Sequence, residues 1–105
     1  MRSLLAGLLL LLLATSAVAQ EERALWVTRY DYQSADDVRE IFANAARIGV
    51  TRVLFQVRGN ASVCYPSQLE PWREDLDSEG GAEGPGFDPL GLAVAQAQRW
   101  EIRLE

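Results

Sequence analysis

The chain has 105 residues, a formal net charge of −5, no histidine and one cysteine. That balance excludes the basic surface that attracts nucleic acid or an anionic membrane, an internal disulfide, and the usual nitrogen and sulfur metal sites. The acids show no spacing that demands a calcium loop, so neither a metal nor any other cofactor is implied.

The first segment is not expected to belong to the fold. Met1 and Arg2 give a positive start, Leu4 to Ala14 an apolar run, and Ala17-Val18-Ala19 the small-x-small pattern of a peptidase site. This reads as a secretory signal cut between Ala19 and Gln20. The apolar run falls well short of the roughly 20 residues that span a bilayer. A secreted or periplasmic product with no membrane anchor is expected. Its 86 residues carry nine arginines against fifteen acids. Cys64, alone, either pairs with another chain or packs beneath a loop, and the second role is the simpler one.

Arg23 to Tyr30 (RALWVTRY) is rich in β-branched and aromatic residues and predicts a strand. A helix follows. Ser34 suits the N-cap, with Asp37 three residues on and Asp36 beside it at the positive end of the helix dipole. Val38, Ile41, Phe42, Ala45 and Ile48 recur at helical spacing, and Gly49 stands where a left-handed terminating residue belongs. Thr51 to Arg58 (TRVLFQVR) predicts a second strand, and its apolar centre suggests burial on both faces, as in a parallel sheet. After a long loop, Asp88-Pro89 offers an N-cap and a proline at the first helical position. Leu90, Ala93, Val94 and Ala97 mark the buried side of that second helix. Glu101 to Glu105 (EIRLE) opens a third strand.

Three parallel strands with two helices on one face leave the other face wet. The pattern predicts an α/β fold: the N-terminal portion, about three strands and two helices, of a (β/α)8 TIM barrel, incomplete as given. A doubly wound sheet is the alternative, but its first strand-to-helix turn usually carries a glycine-rich phosphate loop. Here that turn is Asp31-Tyr32-Gln33. A stand-alone domain of this size and edge exposure would be marginal.

In a barrel the chemistry gathers at the C-terminal ends of the strands. Arg29, Tyr30 and Asp31 follow the first strand, Arg58, Asn60 and a long loop the second, and Glu105 ends the third. Alternation along the second strand places Leu54, Gln56 and Arg58 on the inner face, with Val53, Phe55 and Val57 toward the helices. An inward arginine needs a partner, and Asp31 or Glu105 is expected to supply it. Arg58 would then donate to a substrate oxygen, or simply order the rim. The connection from Gly59 to Phe87 far exceeds the usual length of roughly 2–6 residues. Its first half holds Tyr65, Leu69 and Trp72 between prolines and should be ordered; EDLDSEGGAEGPG should be mobile. Tyr65 and Trp72 suit the apolar face of a sugar ring, or else pin the loop to the rim. Asn60-Ala61-Ser62 fits a glycosylation sequon. Glycosidase chemistry uses two carboxylates about 5–10 Å apart, and Asp31 and Glu105, from the first and third strands, define no catalytic pair.

The order ALWVTRY, then IGVTRVLFQVRGNASVCYPSQLEPW, then PGFDPLGLAVAQAQR resembles the glycosyl hydrolase-like family 10 proteins over nearly all of Arg23 to Glu105. FQVR with YPS, EPW and FDPL in this order is specific, whereas any one block is not. The resemblance implies an exported bacterial barrel acting on glycosidic bonds of a cell-wall or other polysaccharide, with an oligosaccharide or polysaccharide as its partner. Arg58, Tyr65, Ser67, Trp72 and Asp88 fall on positions of the pattern, and the catalytic carboxylates would lie on later strands. A glycine and a histidine common around the third strand of relatives are Glu101 and Glu105 here. A proline and a loop acid common after FQVR are Gly59 and Ser62. A non-catalytic carbohydrate-binding barrel is the rival reading.

Overall fold

The computed structural model describes residues 21–76 and 84–105. The signal segment expected over 1–19, and the middle of the acidic glycine-rich stretch, lie outside the described residues. A three-stranded parallel sheet runs in the order β1 (Ala24–Val27), β2 (Arg52–Phe55) and β5 (Arg103–Leu104), with β2 in the centre. Helices α1 (Ala35–Arg47) and α2 (Pro89–Arg99) connect its strands and pack against each other. Two short strands, β3 (Arg58–Gly59) and β4 (Ser62–Val63), form a separate antiparallel hairpin inside the long loop.

The α1 start is a complete capping box. Ser34 Oγ accepts from the Asp37 N–H at 3.1 Å, and Asp37 Oδ2 accepts from the N–H groups of Gln33 and Ser34 at 2.9 and 3.1 Å. Those backbone donors, Gln33 first, hold the Asp37 carboxyl below the ordinary carboxylate range. At the C-terminus, Gly49 adopts φ 82°, and the N–H of Val50 returns to the carbonyl of Ala45 at 2.9 Å. This is a Schellman stop. Helix α2 ends in the same hydrogen bonds, Ile102 N–H to Ala97 O at 2.9 Å, but with Glu101 in the left-handed position at φ 54°.

Val27, Val53 and Phe55 on one face of the sheet meet Val38, Phe42 and Ala45 of α1 and Ala93 and Ala97 of α2 in a single core. Burying an aromatic or aliphatic side chain of this kind contributes about 1.5–3 kcal/mol. The opposite face carries Trp26 beside Leu54 in the parallel register. The backbone of Glu105 brackets the same Leu54, donating to Val53 O at 2.9 Å and accepting from Phe55 N at 2.8 Å. Trp26 is 64 % exposed there.

The predicted elements are shortened in consistent ways. The first strand ends at Val27 because Thr28 to Asp31 turns, and the second at Phe55 because Arg58 enters the hairpin. Ile48 and Val94, expected in the core, are exposed. Ile48 is the cap residue where α1 stops, and Val94 sits beyond the edge of the buried stripe, where Gln96 takes the interior place beside Ala93 and Ala97.

Candidate functional site

At the end of β1 the chain reverses. The N–H of Asp31 donates to Thr28 O at 3.1 Å, while Asp31 Oδ2 accepts from the N–H and hydroxyl of Thr28 at 2.7 and 3.0 Å. Asp31 thus shapes the turn that presents Arg29 and Tyr30, and it does not pair with Arg58 as expected. Arg29 is buried, and its hydrogen-bond partners among the described residues are neutral. Its backbone N–H donates to Gln56 Oε1 at 3.0 Å, Nη1 to Gly59 O at 2.6 Å, and Nη2 to the Tyr30 hydroxyl at 2.5 Å. The guanidinium lies 4.7 Å from the Tyr30 ring centre. Gly59 makes this approach feasible, since a Cβ there would stand 2.8 Å from Arg29 Nε.

The β3–β4 hairpin turns through Asn60 and Ala61, with φ 51° and 56°. Two successive left-handed residues are the signature of a type I′ turn, so Asn60 has a conformational role there. Ser62 Oγ closes the hairpin on Gly59 O at 3.0 Å. Beyond it, Val63 forms a parallel bridge with Trp72, through Val63 N to Pro71 O and Arg73 N to Val63 O, both 3.0 Å. Cys64 is buried, and its N–H and C=O join Val57 O at 2.8 Å to Leu90 N at 3.2 Å. The loop is therefore stitched to both the central strand and the start of α2.

Arg58 finds its partner within the same loop. Nε and Nη2 donate to Glu70 Oε2 and Oε1 at 2.8 and 2.5 Å, a bidentate pair. Those hydrogen bonds hold the Glu70 carboxyl below the usual range. The expected partners were Asp31 and Glu105; the structure corrects both. Arg58 points outward, its side chain 61 % exposed, because it leaves the sheet before alternation can carry it to the inner face. Ser67 Oγ accepts from the N–H groups of Leu69 and Glu70 at 3.1 and 3.3 Å and sets the turn that delivers Glu70. Glu105 lies beside Arg103, 3.0 Å away, and 3.9 Å from Arg52.

Beneath the loop sits Tyr32, almost fully buried and stacked on Phe55 at 4.7 Å. Its hydroxyl donates to Gln56 O at 2.8 Å. Burial, then the nearby Cys64 side chain, pushes the phenol pKa far up, so it stays a donor. Arg73 caps the other side of that ring at 5.3 Å, donates to Tyr32 O at 2.7 Å, and pairs with Asp75. That pair lowers the Asp75 carboxyl pKa.

These parts frame an open cleft of about 470 Å³ between the β1 turn and the loop, lined by Arg29, Tyr30, Asn60, Trp72, Arg73 and Glu74 among others. Of the expected site residues it gathers Asn60 and Trp72. Asp31 and Arg58 lie outside its lining, as does Tyr65, which is half-buried in the same loop. Glu105 instead borders a smaller, mainly apolar hollow of about 200 Å³ on the open sheet face, with Trp26, Leu54 and Gln56. Arg73 and Glu70 were not among the expected site residues. Their signal was weak: an acid and a base flanking Pro71-Trp72 read as ordinary loop charge. Among the described residues no group of three acidic or cysteine side chains is arranged to hold a metal.

No family model matches the chain. It is similar to glycosyl hydrolase DigH of Escherichia coli K12, 34% identical over 53 residues, which are 50% of this chain and 12% of that protein. It is similar also to glycosyl hydrolase YngK of Bacillus subtilis, 27% identical over 99 residues, covering 83% of this chain and 19% of that protein. The chain therefore spans less than a fifth of the length of either relative. It is a distant, partial relative of proteins named glycosyl hydrolase.

Proposed function

We propose that this chain supplies the opening strands of an exported glycosyl hydrolase-like family 10 barrel, and that its cleft forms part of the wall of a saccharide site. The observation that carries the reading is the cleft at the C-terminal ends of β1 and β2. There an exposed Tyr30 ring and Trp72 stand beside Arg29, Asn60 and Glu74. Aromatic faces cover the apolar side of a sugar ring, while the polar groups meet its hydroxyls. The row of exposed Trp26 and half-buried Leu54 supports the barrel part of the reading, because a parallel sheet needs cover on both faces. The greater length of the relatives supports it as well. In this proposal the hydrolytic carboxylates come from later strands.

One observation favours a second reading, a carbohydrate-binding barrel without hydrolysis. Asp31 is spent on Thr28, and Glu105 lies between Arg52 and Arg103. Neither strand-end acid is left free for acid–base work. Incubating the complete gene product with peptidoglycan strands and with plant and algal glycans decides between them. Reducing-sugar release from any of these supports hydrolysis. Saturable binding with no release, from a product bearing no acids at later strand ends, supports the binding module. The absence of both binding and release would overturn the saccharide reading.

A further inference from the structure

Among the described residues two aromatic side chains, Tyr30 and Trp72, line the cleft, and the fold treats them differently. Trp72 packs against the hydrophobic core, and its backbone is bridged to Val63. Gly84 lies against its indole, since a Cβ there would stand 2.7 Å from Nε1. Tyr30 stands apart from that core and is 70 % exposed. A side chain so exposed ordinarily changes rotamer freely. This one is held. Its phenol oxygen accepts from Arg29 Nη2 at 2.5 Å, and the guanidinium lies 4.7 Å from the ring centre. Its backbone N–H donates to Thr28 Oγ1 at 3.3 Å.

Arg29 is fixed in turn by Gly59, whose carbonyl accepts from Nη1 at 2.6 Å. A Cβ at Gly59 would stand 2.8 Å from Nε and 2.9 Å from Cδ and Cζ, so the guanidinium reaches Tyr30 only past a glycine. Burying a guanidinium is costly, and tying the hairpin to the end of β1 needs only one of its nitrogens. The other is directed at a ring that stands mostly in solvent. We propose that Tyr30 is the residue of this cleft that touches the sugar, offering its ring face to the C–H side of an uncharged pyranose. Arg29 and Gly59 are positioning residues that act through it. The inference rests on the saccharide reading above and narrows a lining to one platform. Because the phenol oxygen is already engaged by Arg29, the ligand meets the face of the ring. A ring held in advance loses little freedom on binding, so more of the contact energy appears as affinity. Arg29 and Arg73 are matched in the lining by Glu74 and Asp75, a balance that suits an uncharged ring. Trp72, packed from behind, pins the loop.

The test uses the complete gene product and uncharged, β-linked hexasaccharides of glucose, N-acetylglucosamine and mannose. Calorimetry reads affinity, and a denaturant melt reads stability. For the hexamer bound most tightly, Tyr30→Ala should weaken binding about two- to tenfold, the usual value of an aromatic contact. The midpoint should not move, because the side chain is exposed. Gly59 is outside the left-handed region, so Gly59→Ala disturbs chiefly Arg29. It should weaken binding severalfold in the parent and have no further effect beside Tyr30→Ala, the non-additivity of residues that act as a unit. Tyr30→Phe keeps the ring and deletes only the oxygen that Arg29 holds. At this exposed position it should give an affinity between those of the parent and Tyr30→Ala.

Unchanged binding in Tyr30→Ala would overturn the platform and leave the saccharide site standing. Additive losses from Gly59→Ala and Tyr30→Ala, or parental affinity in Tyr30→Phe, would overturn the positioning role of Arg29. Binding of none of the three hexamers would also overturn the platform. Binding or hydrolysis of another glycan would then keep the saccharide reading, and the absence of both would sink it as well.

Discussion

The βαβ frame and the loop between Arg58 and Leu76 are built on different rules. The frame stands on repetition: buried residues every three or four positions in α1, alternation in β2, and a stop signal after each helix. The loop has no period. It stands on single long-range bonds, Arg58 to Glu70, Val63 to Trp72 and Arg73 to Tyr32, each made by residues that look unremarkable in sequence. In the proposed reading the frame carries stability, and the loop with the β1 turn carries the surface that would meet a ligand. Substitutions that separate the two test this division, read in each case on the complete gene product.

The largest effect is expected at Phe42, which is fully buried in the shared core. Phe42→Ala should cost about 3–5 kcal/mol, seen as a collapse of the denaturant midpoint and of ligand binding together. A loss of binding with the midpoint unmoved would contradict the division.

Next comes the α1 cap. Ser34→Ala should cost about 1 kcal/mol at neutral pH, with affinity unchanged. Asp37 adds a pH signature. Its folded pKa lies below the ordinary value of about 3.9. Its stabilisation is therefore complete above that value and is lost as pH falls through the lower, folded one. Asp37→Asn should accordingly destabilise at pH 7 and converge on the parent in strongly acidic buffer. A gap that persists in acid would show that the carboxylate is not the source.

The two helix ends sharpen the comparison within the frame. Both are Schellman stops, but one has Gly49 and the other Glu101 in the left-handed position. Glu101→Gly should stabilise by about 1 kcal/mol, a small rise in melting temperature. No gain would mean that Glu101 makes contacts offsetting its backbone strain.

The smallest effect should come from Glu70→Gln. Its partner Arg58 is mostly exposed, and surface ion pairs contribute little. The melting temperature should hardly move, while exchange of the loop amides around Ser67 to Glu70 should quicken.

The same contrast explains what was legible in the sequence. The helix limits, the capping box at Ser34 and Asp37, the Gly49 stop and the orientation of Val53 and Phe55 all follow from local chemistry that repeats. The hairpin was hidden because Asn60-Ala61 lacks the glycine that usually announces a type I′ turn. Arg58 was expected to face inward because alternation was extended past Phe55, where the strand had already ended. Asp31 was expected to pair with Arg58 or to meet a substrate, and instead it builds its own turn. Arg29 stood in a noted strand-end position, but its hold on the hairpin depends on where Gly59 and Gln56 come to lie in space. Distance between segments decides such residues, and no local pattern encodes it.

The division is tested most directly by hydrogen exchange of the complete gene product, alone and with the oligosaccharide it binds most tightly. Exchange should slow in the β1 turn around Arg29 to Tyr32 and in the loop from Gly59 to Arg73, with α1 and α2 unchanged. Slowing confined to the helices, with turn and loop unaffected, would contradict the account.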